Sequence, residues 1–137
     1  RHCCGFGFRH YLVMANRGYS ISNSKKKFES MQPFKPDFIV TNCPGCPMFL
    51  DRWQYTIAEM EGITYGENGM GIPVLTFEEM TGLVLGYSPW DLGLQMHQVS
   101  VEPLLDKMGV IYNKEEKYLG AKGQKLGQPQ TPQFLIV

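Results

Sequence analysis

The sequence predicts a small α/β domain: a small parallel sheet flanked by helices, with its site in the loops at the strand carboxyl ends. Three observations carry this. Two short apolar runs, Phe38 to Thr41 and Ile72 to Leu75, have the unbroken hydrophobicity of strands buried on both faces of a parallel sheet. Each run is followed by a helical pattern, so the chain alternates strand, helix, strand, helix. A chain of 137 residues, 43% of them hydrophobic, is the size of one domain with a modest core.

The elements follow in order. Ile21 to Met31 reads as an amphipathic helix with Ile21, Phe28 and Met31 on one side, ended by Pro33. Its run Lys25-Lys26-Lys27 reads as a solvated face, with a docking patch for an anionic partner as the alternative. After the first strand, Pro47 to Met60 is a helix: Pro47 is tolerated in the first turn, and Phe49, Trp53, Ile57 and Met60 recur at helical spacing as core. Gly62 to Gly71 is a glycine-rich loop. After the second strand, Thr76 and Glu79 form a capping box for a helix running to Leu85, with Gly86 as its stop. Pro89 to Leu94 is a turn or short helix. Ser100 is expected to cap a last helix that has Pro103 in its first turn and Gly109 after it. The chain thus divides into a domain over 1–112 and an extended polar tail over 113–137, expected to order against a partner.

Composition narrows the function. Thirteen basic residues balance thirteen acidic ones, which argues against nucleic acid as the main partner. No apolar run approaches the roughly 20 residues of a membrane helix, and no signal-peptide pattern opens the chain, so a cytoplasmic location is expected. The first residue is Arg1 rather than Met, which leads to the expectation that the chain is the later part of a longer polypeptide.

The chemistry lies in four cysteines arranged as two pairs, Cys3-Cys4 and Cys43-Pro44-Gly45-Cys46. One or two buried cysteines are ordinary core residues, but four in this arrangement are poorly explained that way. Three chemical readings stand. Strand, CxxC, helix is the context of a thioredoxin-like redox pair, which leaves Cys3-Cys4 without a role. A structural zinc site takes four cysteines, although adjacent ligands on one tetrahedral ion are awkward. An iron–sulfur cluster relieves that awkwardness, because adjacent cysteines can reach different irons. Cys43 and Cys46 follow a strand carboxyl end, where open α/β sheets form their sites. The opening Cys3-Cys4-Gly5-Phe6-Gly7 reads as a glycine-loosened loop whose backbone N–H groups can approach cluster sulfurs.

Cys3-Cys4-Gly5 followed by Cys43-Pro44-Gly45-Cys46 resembles the cysteine-rich CCG domain. Gly71-Ile72-Pro73-Val74-Leu75, Leu92-Gly93-Leu94 to His97 and the helix Val101 to Met108 sharpen this toward the carboxy-terminal half of the B-type subunit of CoB–CoM heterodisulfide reductases. The resemblance covers about residues 1–110. It implies a non-cubane [4Fe–4S] cluster held by five cysteines, four of which match Cys3, Cys4, Cys43 and Cys46, with the fifth upstream of Arg1. It further implies reduction of the CoM-S-S-CoB heterodisulfide by one-electron steps, as an oxidoreductase acting on a sulfur group within a complex. The implied partners are a ferredoxin-like iron–sulfur subunit, a flavin subunit and the small-molecule disulfide. The same domain type implies one alternative, an electron-transfer subunit of a glycolate, lactate or succinate oxidoreductase; the cysteines by themselves leave a second, a zinc-stabilised interaction domain.

The remaining candidates are weaker. Arg1, Arg9 and His10 are candidates to meet an anionic substrate, with surface solubility as the plain alternative. His2 stands beside the adjacent pair, where packing is the commoner role of a histidine. The eight methionines read as core filler.

Overall fold

The computed structural model describes residues 4–6, 16–112, 119–120 and 124–125. Strand β1 (Ile39–Thr41) pairs in parallel with β2 (Val74–Thr76), Ile39 opposite Val74 and Thr41 opposite Thr76. Among the described residues four α-helices surround them: α1 (Arg17–Met31), α2 (Gly45–Glu61), α3 (Phe77–Val84) and α4 (Glu102–Met108). Strands and helices alternate as the sequence predicts, and the fold is a small α/β arrangement. Within the polar stretch after residue 112, β3 (Leu119–Gly120) and β4 (Gln124–Lys125) pair antiparallel.

The core divides about β2, because successive strand residues point to opposite faces. Val74 packs with Phe28, Leu50, Trp53 and Ile57 on the side of α1 and α2. Leu75 packs with Leu83, Leu94, Leu104 and Leu105 on the side of α3 and α4. Burial on both faces, expected of both strands, therefore holds for β2. It does not hold for β1, where Ile39 is buried but Val40 is 40% exposed. Among the described residues β1 has a strand neighbour on one side only, and the packing over Ile39 does not extend to Val40.

Local signals explain most boundaries. Thr76 accepts from the Glu79 N–H at 3.0 Å and the Glu79 carboxylate accepts from the Thr76 N–H at 2.7 Å, the reciprocal box predicted for α3. Gly62 ends α2 and Gly109 ends α4 in the left-handed conformation. Ser100 acts one position earlier than a helix cap: Val101 is the cap residue, and the Ser100 hydroxyl accepts from the Glu102 N–H at 3.3 Å. At the amino-terminal edge of the sheet, Lys107 bridges Asp37 and Glu67 beside a cleft of about 90 Å³ lined in part by Pro36 and Pro73.

Two buried polar side chains fix the loops to α2. The Gln54 amide donates to the carbonyls of Leu50 and Ile72 and accepts from the Ile72 N–H at 2.7 Å, so one side chain satisfies both backbone groups of Ile72. Asp51 accepts from the N–H groups of Gln98 and Val99 at 2.6 and 2.8 Å. His97, next to them, bonds Glu79 at 3.1 Å. Burial raises the Asp51 pKa, opposed by His97 and the two N–H donors. Burial works against the charged His97, but Glu79, Asp51 and the Val74 backbone outweigh it and raise its pKa above 6.5. Burial likewise works against the charged Glu79, and His97 and Thr76 outweigh it, holding its pKa below 4.5.

These contacts can be tested by stability. Gln54→Leu orphans the N–H and the C=O of Ile72, and chemical denaturation should show a loss of about 2–4 kcal/mol. The His97 contribution is complete below its unfolded pKa and fades as pH rises through the higher folded value. That of Glu79 is complete above 4.5 and fades in acid as pH falls through its lower folded value. The thermal midpoint should therefore fall as pH rises above 6.5. His97→Gln should flatten that fall; an unchanged slope would separate His97 from it.

Candidate metal centre

Helix α2 starts at Gly45, two residues before the predicted Pro47, and this difference makes the site. It moves Cys46 into the first helical turn and leaves Cys43 just outside it, with Pro44 as the cap residue at φ −64°. The Cys46 N–H donates to the Cys43 carbonyl at 3.1 Å, closing the turn that carries both cysteines. The third cysteine arrives from the other end of the chain: Cys4 is buried, and its Sγ lies 3.0 Å from Cys46 Sγ. Beyond the roughly 2.05 Å of a disulfide, this is a contact between two free thiols.

Position in the turn gives the thiols different chemistry. Cys43 is exposed, and the N–H groups of Gly45 and then Cys46 lower its pKa, as helix amino termini do for thiolates. Cys46 is partly buried; burial, followed by the thiols of Cys4 and Cys43, pushes its pKa up to about 12. Burial and, after it, the neighbouring sulfurs disfavour its thiolate, whereas a bound cation favours it. An all-sulfur donor set selects zinc or iron–sulfur clusters over hard cations. By donor chemistry the cysteines therefore fit an iron–sulfur group.

The loop that delivers Cys4 is held on several sides. The Ser24 hydroxyl donates to the Cys4 carbonyl at 2.5 Å, and the Ser20 hydroxyl donates to the Gly5 carbonyl at 3.0 Å. Trp53 of α2 donates its indole N–H to the Ser20 hydroxyl at 3.0 Å. Gly5 has φ +84°, and a Cβ there would meet the Ser20 carbonyl oxygen at 2.5 Å, so the position requires glycine. The Phe6 N–H points at Cys4 Sγ over 3.4 Å, while its ring meets Phe49 edge-on at 5.1 Å and lies against Gly45.

Of the residues singled out in the sequence, the structure brings Cys4 to Cys46, in the turn that also carries Cys43. Cys3, Arg9 and His10, with Arg1 and His2, lie outside the described residues. His97 pairs with Glu79 instead of joining the cysteines. Among the described residues, no group of three or more His, Cys, Asp and Glu side chains is arranged to hold a metal ion, and no helix is long and apolar enough to cross a membrane. Sequence reading missed Ser20 and Ser24, and took Trp53 as core without its hydrogen bond to Ser20. The available signal was their spacing: Ser20, Ser24 and Phe28 recur every four residues, the buried stripe of α1.

Comparison with known proteins supports the resemblance. Residues 1–51 match the family model described as CCG, cysteine-rich domain. The chain is 30% identical over 109 residues to the B-type subunit of the ferredoxin:CoB-CoM heterodisulfide reductase of Methanosarcina acetivorans, covering 79% of this chain and 32% of that protein. It is 30% identical over 106 residues to the B-type subunit of the ferredoxin/F(420)H(2)-dependent CoB-CoM heterodisulfide reductase of the same organism, covering 77% and 33%. Against the B-type subunit of the ferredoxin:CoB-CoM heterodisulfide reductase of Methanosarcina mazei it is 32% identical over 106 residues, again covering 77% and 33%. The chain spans about a third of the length of these relatives.

Gly45 provides a test of the local packing. A Cβ at this position would lie 2.6 Å from the Phe6 ring. Gly45→Ala gains about 1 kcal/mol of helix propensity and forfeits about 1 kcal/mol of aromatic pairing, so stability should barely change. Displacing Phe6 should nevertheless expose Cys4, seen as several-fold faster alkylation of Cys4 mapped by mass spectrometry.

Proposed function

We propose that residues 1–112 form a CCG-type iron–sulfur domain in which Cys3, Cys4, Cys43 and Cys46 ligate a non-cubane [4Fe–4S] cluster. The polypeptide carrying it reduces the CoM-S-S-CoB heterodisulfide by one-electron steps, as the cluster-bearing member of a complex. The observation that carries this reading is the meeting of Cys4 with Cys46, 3.0 Å apart, at the helix turn that also bears Cys43. The match of residues 1–51 to the CCG model and the likeness to the B-type subunits of heterodisulfide reductases support it.

When bound, such a cluster supplies one-electron transfer and a soft iron that accepts sulfur. The chain's own residues do the rest. Cys4, buried, and Cys46, partly buried, would hold the group from the inside, and the exposed Cys43 would be its solvent-facing ligand. The Phe6 N–H donates toward the Cys4 sulfur, a contact of the kind that shifts cluster potentials. Arg9 and His10 are assigned to the anionic groups of the substrate. The electron donors are a ferredoxin-like iron–sulfur subunit and a flavin subunit, and the tail over 113–137 is assigned to docking them. The reaction proceeds in the cytoplasm.

The test is anaerobic iron, sulfide and zinc analysis of the full-length polypeptide, with an EPR spectrum after oxidation in the presence of coenzyme M thiol. About four irons for each CCG domain and a thiol-dependent signal are expected. Zinc without iron would replace the redox reading with a structural one. Cys43→Ser, Cys46→Ser and Cys4→Ser should each lose iron and activity together; unchanged iron in a variant would remove that residue from the ligand set.

A further inference from the structure

We infer that the site is preassembled by the protein, and that Ser24, Ser20 and Trp53 are positioning residues that hold Cys4 against Cys46 before any metal arrives. The inference rests on the reading of these cysteines as a ligand set, and its core prediction concerns the metal-free chain.

Cys4 has no secondary structure of its own to hold it: its stretch of backbone belongs to no helix or strand, so no ladder of hydrogen bonds fixes it. Forty-two positions separate it from Cys46. Yet the thiol is 5% exposed and at contact distance. Two consecutive carbonyls of the loop, those of Cys4 and Gly5, are taken up by two hydroxyls one helical turn apart on α1. Both serines are fully buried. Serine is short, so its hydroxyl reaches only a backbone that passes directly over the helix, and Gly5 permits that approach because it has no Cβ to strike Ser20.

The second half of the brace reaches the partner cysteine. Trp53 donates to the same Ser20 hydroxyl that bonds Gly5, and Trp53 stands two helical turns after Cys46 on α2. The chain of contacts Gly5–Ser20–Trp53 therefore ties the loop of Cys4 to the helix of Cys46 through buried groups. Ser20 is used fully: it donates to Gly5 and accepts from Trp53, while Ser24 adds an independent bond next to the cysteine itself. Outer-shell groups of this kind set ligand geometry, and their loss typically costs 10–100-fold in metal affinity.

The experiment measures proximity of the two thiols without metal. The full-length polypeptide, purified anaerobically and stripped with a chelator, is equilibrated with oxidised and reduced dithiothreitol, and the Cys4–Cys46 link is quantified by peptide mass spectrometry. Each link formed takes two electrons and two protons from the thiols and returns one reduced dithiothreitol. The equilibrium reports the effective concentration of one thiol at the other. Wild type should form the link readily. Ser24→Ala should lower the effective concentration about tenfold, Trp53→Phe should lower it by a smaller factor, and Ser30→Ala, an exposed serine on the same helix, should leave it unchanged.

Reconstituted with iron and sulfide, Ser24→Ala should also bind iron more weakly and show a shifted visible spectrum at equal iron content, which a loss of stability alone does not produce. Wild-type effective concentration in both Ser24→Ala and Trp53→Phe, folded by circular dichroism, would overturn the inference; if Ser24→Ala fails to fold, Trp53→Phe decides it. A wild-type chain that forms no link would overturn it as well. Absence of iron from the native polypeptide would count against the cluster instead, and the thiol equilibrium would still be read.

Discussion

The start of α2 is the constraint on which the candidate site depends. A parallel strand that ends at Thr41 delivers the chain to the carboxyl edge of the sheet, and a helix beginning at Gly45 turns it back within three residues. Had the helix begun two residues later, Cys46 would lie outside it and would lose its fixed relation to Cys43. Pro44 supplies a φ suited to helix entry, and Gly45 leaves room for the Phe6 ring. The same helix carries Asp51, Trp53 and Gln54, which anchor the 97–99 segment, the serines of α1 and the entry to β2. One helix start thus sets the cysteine turn, and the body of the same helix sets the loops around it.

The electrostatics of the domain separate into two regions. Near the cysteines, helix-end N–H groups favour one thiolate while burial and neighbouring sulfur disfavour another. Behind α2, the buried Asp51 and the partly buried Glu79 and His97 balance one another and tie α3 to the segment before α4. The exposed pairs Lys25–Glu61 and Lys107–Asp37 join elements across the surface, where solvent screening leaves little net stabilisation.

Much of this was legible in the sequence, for identifiable reasons. The capping box of α3, the left-handed glycines after α2 and α4 and the apolar run of β2 are local signals, and each appears at or within two residues of its predicted place. The cysteines drew attention because they are rare and chemically specific, and two of them, Cys4 and Cys46, do meet. What failed to show was whatever depends on distant partners. The burial of β1 depends on what covers Val40, which its own hydrophobicity does not report. The apolar side of α1 was read correctly, since Phe28 is buried and Ile21 and Met31 pack against the same core, but a search for apolar periodicity passes over the buried Ser20 and Ser24. Hydroxyls that serve another segment's carbonyls look like surface residues until that segment is in place.

The serine stripe also bears on the order in which the molecule comes together. Closing a loop of 42 residues costs chain entropy that grows as the logarithm of its length, about 3 kcal/mol from the length-dependent part. Cys43 and Cys46 face no such barrier, since one turn of α2 brings them together. A helix that meets its neighbour partly through serines buries less apolar surface than one lined with leucine, so α1 docks through Phe28, with Ile21 and Met31 beside it, and the hydroxyls complete the contact. In kinetic terms the amino-terminal cysteine is a late arrival: the turn bearing Cys43 and Cys46 forms locally, and the pocket closes when α1 settles.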